Sequence, residues 1–247
     1  AFDVELSGQL VSILRNSVNA SSVLESSNFP LVPYSNRIKH GCFDWQNQTI
    51  KLPLNHLPEK HSIHGHGWQS SWDIIEKSNN TLTIQYCHNA DDWPFSYTAE
   101  QVFTLHDKTL TIELSLKNTS STEMPAGLGF HPYFTRTDKT SLKCSPQKMW
   151  TVDDESLPIE LVDAPDEMNS SMGLQINQQS FDNVFTQSLG DITIHWPEWR
   201  AKANISTTGN CKFMVLYNPK DKGFFCVEPV THCTDAINMT SKGIKNY

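Results

Sequence analysis

Two short stretches of the chain carry a titratable side chain directly before a proline. His131 lies in GLGFHPYFT, residues 127–135, and Glu228 lies in FFCVEPV, residues 224–230. An imidazole and a carboxylate both move protons readily near neutral pH, and together they supply an acid and a base. Proline has no amide hydrogen for a sheet and holds the residue before it extended. Each dipeptide is therefore expected to interrupt a strand ladder, where a reactive side chain can reach an open rim. His-Pro and Glu-Pro pairs are common, so neither alone assigns a role.

Other candidates surround these two. HSIHGHGW places His61, His64 and His66 within six positions. Neutral imidazoles suit zinc, copper or iron, but the stretch itself holds no carboxylate or cysteine to complete a ligand set, which distant residues would have to supply. Gly65 and Gly67 favour a tight turn instead, one that lets backbone approach a ligand. Arg37, in PYSNRIKHGCFDW, offers a planar donor fork for hydroxyl or carboxylate oxygens. The bland alternative is a surface arginine. Asp182, in SFDNVF, is either a turn or cap aspartate or a carboxylate flanked by aromatics, which suits a ligand with hydroxyl edges and an apolar face. Trp68, Trp72 and Trp93 read as core ahead of stacking surface. Phosphate loops, GxGxxG turns and GxSxG elbows are absent from the sequence, so scattered His, Glu, Asp and Arg must carry any chemistry. Proton transfer fits that set better than covalent catalysis.

The elements that must position these groups alternate with period two. Tyr97, Ala99, Gln101, Phe103 and Leu105 alternate with Thr98, Glu100, Val102 and Thr104. Leu110, Ile112, Leu114 and Leu116 alternate with Thr111, Glu113, Ser115 and Lys117. Two such runs around HDK predict an antiparallel hairpin with one buried face and a three-residue connection. TLTIQY and ITIHW follow the same pattern, and CKFMVLYNP reads as a strand buried on both faces. Residues 155–183 read as irregular loop with a short helical turn. Convincing helical periodicity is almost absent. The pattern predicts an all-β chain, one large antiparallel β-sandwich spanning 1–247 as a single domain.

Bulk properties narrow the partners. A chain of 247 residues buries enough surface to fold without metal or disulfide support. Its net charge of −8 argues against nucleic acid or anionic membrane. No apolar run approaches the ~20 residues of a membrane helix. The opening AFDVELSGQL lacks the basic-then-apolar pattern of a signal peptide. Six cysteines stand singly without a CxxC pair, which fits free thiols in a reducing cytoplasm.

Taken in order, NRIKHGCF, HGHGW, GFHPYF, FDNVF and VEPVT resemble the aldose 1-epimerase (galactose mutarotase) family, from about Phe29 to Asn238. The resemblance implies a super-sandwich of β-strands with a sugar cleft, no cofactor and no metal. It implies that Glu228 is the general base at the anomeric hydroxyl and His131 the general acid at the ring oxygen. His64, Arg37 and Asp182 would hold the sugar. A histidine protonated near neutral pH with modest help from a neighbouring carboxylate would serve as that acid. The partner is a small sugar, with no nucleic acid or membrane. Departures from the family pattern exist. His66 follows His64, so either could face the cleft, and His64 is preferred here. Tyr217 stands where larger members carry a sugar-contacting glutamine. The chain stops at GIKNY, where members usually run on for one or two strands, as in a short or truncated form. A carbohydrate-binding protein without catalysis, a sugar-phosphate epimerase and a histidine-metal enzyme are the competing readings.

Overall fold

The strongest alternation in the sequence becomes the longest hairpin. Strand Tyr97–His106 pairs antiparallel with Thr109–Asn118 in unbroken register from Tyr97↔Asn118 to His106↔Thr109. The connection is Asp107-Lys108, two residues instead of the expected three, because His106 stays in the ladder and Asp107 takes a positive φ of 50°. Such a turn matches the twist of the strands it joins. Tyr97, Ala99 and Gln101 are buried along one face, while Leu105 near the tip is exposed.

The computed structural model describes residues 2–186 and 191–241. These fall into two compact units, each of which includes chain segments distant in sequence. One unit, residues 30–129 and 232–247, contains that hairpin in a four-stranded sheet with Thr81–His88 and Asp73–Lys77. Its core gathers Val32, Tyr34, Phe43, Trp93, Phe95 and Tyr97. Trp93 is thus core, as its composition suggested. No helix among the described residues is long and apolar enough to cross a membrane. The closing GIKNY segment lies outside the described residues.

The other unit, residues 1–29 and 130–231, carries a long antiparallel path. Its order is Phe2–Leu6, Gln9–Leu14, Tyr133–Thr135, Phe224–Val230, Phe213–Tyr217, Asp182–Thr186, Lys148–Val152 and Pro158–Asp163. A second sheet joins Leu174–Gln175, Ser141–Lys143, Ile192–Trp196 and Ala201–Ile205. Phe213–Tyr217 is buried at four of its five residues, the two-sided burial that CKFMVLYNP implied. The 155–183 segment is more ordered than expected. Pro158–Asp163 is a strand paired with Lys148–Val152, and a short 3-10 turn covers Asp166–Asn169. That strand has no alternating burial, so pairing with a neighbour, rather than an apolar period, holds it.

Candidate active site

Sheet register brings the two proline-flanked residues together. Tyr133 pairs with Cys226, Phe134 with Phe225 and Thr135 with Phe224. Continuing that antiparallel register by two residues sets His131 opposite Glu228. Their side chains meet, His131 Nε2 lying 3.2 Å from Glu228 Oε1. Both are buried, with side-chain exposures of 9% and 2%. The expected interruption occurs on one side only. The chain leaves the strand at His131-Pro132, between Gly129–Phe130 and Tyr133–Thr135. Glu228 instead sits inside the continuous strand Phe224–Val230, where Val215↔Glu228 and Met214↔Pro229 remain in register. The proline beside Glu228 does not end its strand, because Phe213–Tyr217 continues to pair along it.

Asp182 belongs to the same sheet face. It opens the strand Asp182–Thr186 and pairs with Tyr217, which in turn pairs with Cys226. Side chains alternate along a strand, so Asp182, Tyr217, Cys226 and Tyr133 form one row across four strands. Glu228 and His131 stand in the next row of that face. Asp182 therefore begins a paired strand and is not a turn residue. The His131 ring is sandwiched by two aromatic neighbours. It stacks on Tyr133 at 4.7 Å between centroids and tilts against Phe29 at 4.5 Å. His131 N–H donates to Phe29 C=O at 3.0 Å, which helps set the backbone at the break.

Burial dominates the electrostatics. It pulls the His131 imidazolium from its ordinary 6.5 down to about 3, and the Arg15 cation pulls the same way. The neighbouring carboxylate expected to help protonate the ring is present in Glu228, while burial opposes the charged ring. Against burial stands the Glu228 carboxylate in direct contact, and a separate charge on either partner is costly at this depth. A single proton shared by the two would leave the pair neutral overall. Burial also pushes the Cys226 thiol well above its ordinary range, with Glu228 and Asp182 adding and Arg15 opposing. The Tyr133 phenol is raised mainly by burial.

Arg15 gave no signal in the sequence. Its Cζ lies 3.5 Å from the centre of the Tyr133 ring, a cation–π contact. Its guanidinium donates to Ser26 C=O at 2.8 Å and to Leu24 C=O. Only the adjacency of β-strand and charge could have hinted at it, since its partners lie far along the chain.

The remaining candidates belong to the other unit. Arg37 Nε donates to Glu59 Oε2 at 3.0 Å and its NH1 to Asn36 Oδ1 at 3.1 Å. It is a held fork and not a loose surface arginine. His64 is buried, its Nδ1 accepting from the Asn36 amide at 3.1 Å and its ring edge-on to Trp68. That bond places its ring proton on Nε2. His66 stacks on His88 at 4.6 Å, and burial together with His88 lowers its pKa. His61 Nδ1 accepts from the His40 amide at 3.0 Å. The three histidines thus serve separate local contacts. Gly65 and Gly67 make a tight passage against the chain itself. A Cβ on Gly65 would lie 2.3 Å from Val32 O, and one on Gly67 would lie 2.2 Å from Val32 Cγ1. The neighbour that requires glycine at both positions is Val32-Pro33.

Among the described residues, one trio of His, Cys, Asp or Glu has its ligand atoms within 4.8 Å of one another: His131, Cys226 and Glu228. It lies at the acid/base pair, away from the HSIHGHGW stretch where sequence spacing had drawn attention.

Comparisons with known proteins bear on the family and the fold. The family model for aldose 1-epimerase matches residues 4–245. The uncharacterized Escherichia coli K12 protein YphB is 30% identical over 231 residues, covering 90% of this chain and 79% of the relative. The uncharacterized protein YihR of the same organism is 29% identical over 220 residues, covering 84% and 70%. A crystal structure of a candidate aldose 1-epimerase from E. coli K12 superposes with a TM-score of 0.83 at 29% identity, covering 92% of this chain and 80% of that one. A galactose mutarotase-like protein from Clostridium acetobutylicum gives 0.77 at 23% identity, covering 85% and 70%, and speaks for the fold alone. The antiparallel β-sandwich of galactose mutarotase-like proteins is thus the fold, as alternation and motif order implied. Since the family model spans nearly its whole length, this chain belongs to the aldose 1-epimerase family.

Proposed function

We propose that the chain is an isomerase that interconverts the α and β anomers of a free aldose of galactose or glucose type. In this reading Glu228 takes the proton from the anomeric hydroxyl while the C1–O5 bond opens. His131 gives its proton to the ring oxygen. The aldehyde turns about C1–C2 and closes on its other face, with the two residues exchanging roles. Asp182, on the same sheet face, accepts bonds from ring hydroxyls, and Arg37 and His64 hold the sugar as the family resemblance implies.

The observation that carries this reading is the direct contact between His131 Nε2 and Glu228 Oε1. Ring opening removes one proton and adds one, so the pair holds the same number before and after. A proton gained by Glu228 can return to His131 across 3.2 Å without solvent. Two oxygens on a single carbon need an acid and a base this near to each other. Each such group contributes about 10²–10⁴-fold, and spontaneous anomerisation already proceeds unaided. The six free cysteines support a cytoplasmic setting for a single mutarotase-like domain.

Polarimetry over a panel of aldoses, with Glu228→Gln as control, tests the proposal. The wild type should accelerate decay of optical rotation for at least one aldose, and the variant should not. A wild-type rate equal to buffer for every aldose would defeat it.

A further inference from the structure

We propose that Cys226, His131 and Glu228 also form a binding site for a thiophilic divalent cation, zinc(II) foremost, which silences the acid/base pair while bound. The silencing rests on the anomerisation reading; the binding does not. Three donors of the kinds zinc prefers stand on one sheet face: a thiol, an imidazole nitrogen and a carboxylate oxygen. Register, not chance proximity, puts them there. Cys226 and Glu228 are two apart on one strand and so share a face, and His131 lies across from Glu228 on the neighbouring segment. All three donor atoms fall within 4.8 Å.

The spacing suits an ion. Tetrahedral zinc with ligand bonds of about 2.0–2.1 Å to nitrogen and oxygen separates those two atoms by roughly 3.3 Å. His131 Nε2 and Glu228 Oε1 already stand 3.2 Å apart. Cys226 and Glu228 sit in one paired strand, and His131 stands two residues before Tyr133, which pairs with Cys226.

Charge balances as well. With one proton on the His131–Glu228 pair and one on the thiol, the trio is neutral. Zinc(II) bound by thiolate, carboxylate and neutral imidazole is also neutral. One divalent ion therefore replaces two protons, and affinity should rise with pH. The neighbouring charges pull in both directions. Arg15 acts on Cys226 and His131 and opposes the ion, while Asp182 acts on Cys226 and favours it. Tyr133 and Tyr217 complete the titratable surroundings on this face.

Cobalt(II) titration of the purified full chain provides the test, because a thiolate ligand gives cobalt a charge-transfer band in the near ultraviolet. The wild type should show the band, zinc(II) should abolish it, and calorimetry in buffers of different ionisation heat should report about two protons released per ion. Cys226→Ser and Cys226→Ala should lose the band. Losing a direct ligand should weaken zinc binding by at least the roughly 10–100-fold that losing an outer partner costs. Zinc should inhibit anomerisation in the wild type and not in these variants. A wild type without the cobalt band, or equal zinc affinity in the wild type and both folded variants, would overturn the site. Should the wild type anomerise no sugar, the cobalt band still decides on binding, so the two proposals fail separately.

Discussion

The two units position their polar side chains by different means. In residues 1–29 and 130–231, strand pairing places His131, Glu228 and Asp182, and each backbone neighbour along the sheet is fixed by register. In residues 30–129 and 232–247, Arg37 and His64 sit on short segments with irregular backbone. Asn36 and His64 have positive φ of 59° and 63°, and side-chain bonds to Glu59 and Asn36 hold the geometry. A sheet fixes spacing between donor atoms to a fraction of an ångström, which proton transfer requires. A braced loop fixes direction, which suffices for a hydrogen bond to a ligand. Register thus fixes the polar groups of one unit, and side-chain bonds fix those of the other.

Replacing Glu228 should test the first half of that contrast most severely. Glu228→Gln keeps the shape but cannot take a proton, so the anomerisation rate should fall by about 10²–10⁴-fold with unchanged circular dichroism. His131→Asn should do the same, and the double variant should lose little more than either single one, since the two act as a unit. A strictly additive double variant would break the pairing.

The backbone of the other unit is tested by Gly65→Ala. Gly65 has φ of +70° and its Cβ would strike Val32 O at 2.3 Å. The left-handed penalty and the overpacking together predict a loss of about 2–5 kcal/mol, read from urea unfolding. A wild-type midpoint would show that the passage is not tight. A gentler probe is Glu59→Gln, which loosens the Arg37 fork without touching the pair. If Arg37 grips substrate, KM should rise roughly 2–5-fold with kcat unchanged. A fall in kcat instead would mean that the grip and the chemistry are not separable.

The smallest expected effect is on stability against pH. His232 is half-buried as a neutral ring, accepting from the Ser35 amide at 3.1 Å through Nε2 and facing Cys233 C=O at 2.7 Å through Nδ1. Burial lowers its pKa from the ordinary 6.5. A lowered histidine pKa means that the unfolded chain takes up the proton first. Its contribution is therefore full above pH 6.5 and is lost as pH falls through that value. His232→Gln, whose carbonyl can still accept from Ser35, should flatten the decline of the melting temperature below pH 6.5. An identical slope would exclude His232 as its source.

Much of this was legible beforehand where the signal was local. The hairpin Tyr97–Asn118 announced itself because one face is buried and period two follows directly. His131, Glu228, Arg37, His64 and Asp182 were legible as motif residues, and three of them fall on one sheet face. What could not be read depends on pairing between distant segments. Pro158–Asp163 is a strand because Lys148–Val152 lies beside it. Pro229 was taken as a break, yet its strand runs through. The roles of Arg15, Cys226 and Glu59 come from partners that no spacing rule names.

The meeting of positions 131 and 228 also carries a rule about length. Tyr133 is anchored opposite Cys226, so any residue added or removed between His131 and Tyr133 would carry the imidazole along the sheet and out of its 3.2 Å contact with Glu228. Substitutions around the pair leave that spacing untouched, whereas a change of length in this one short stretch does not.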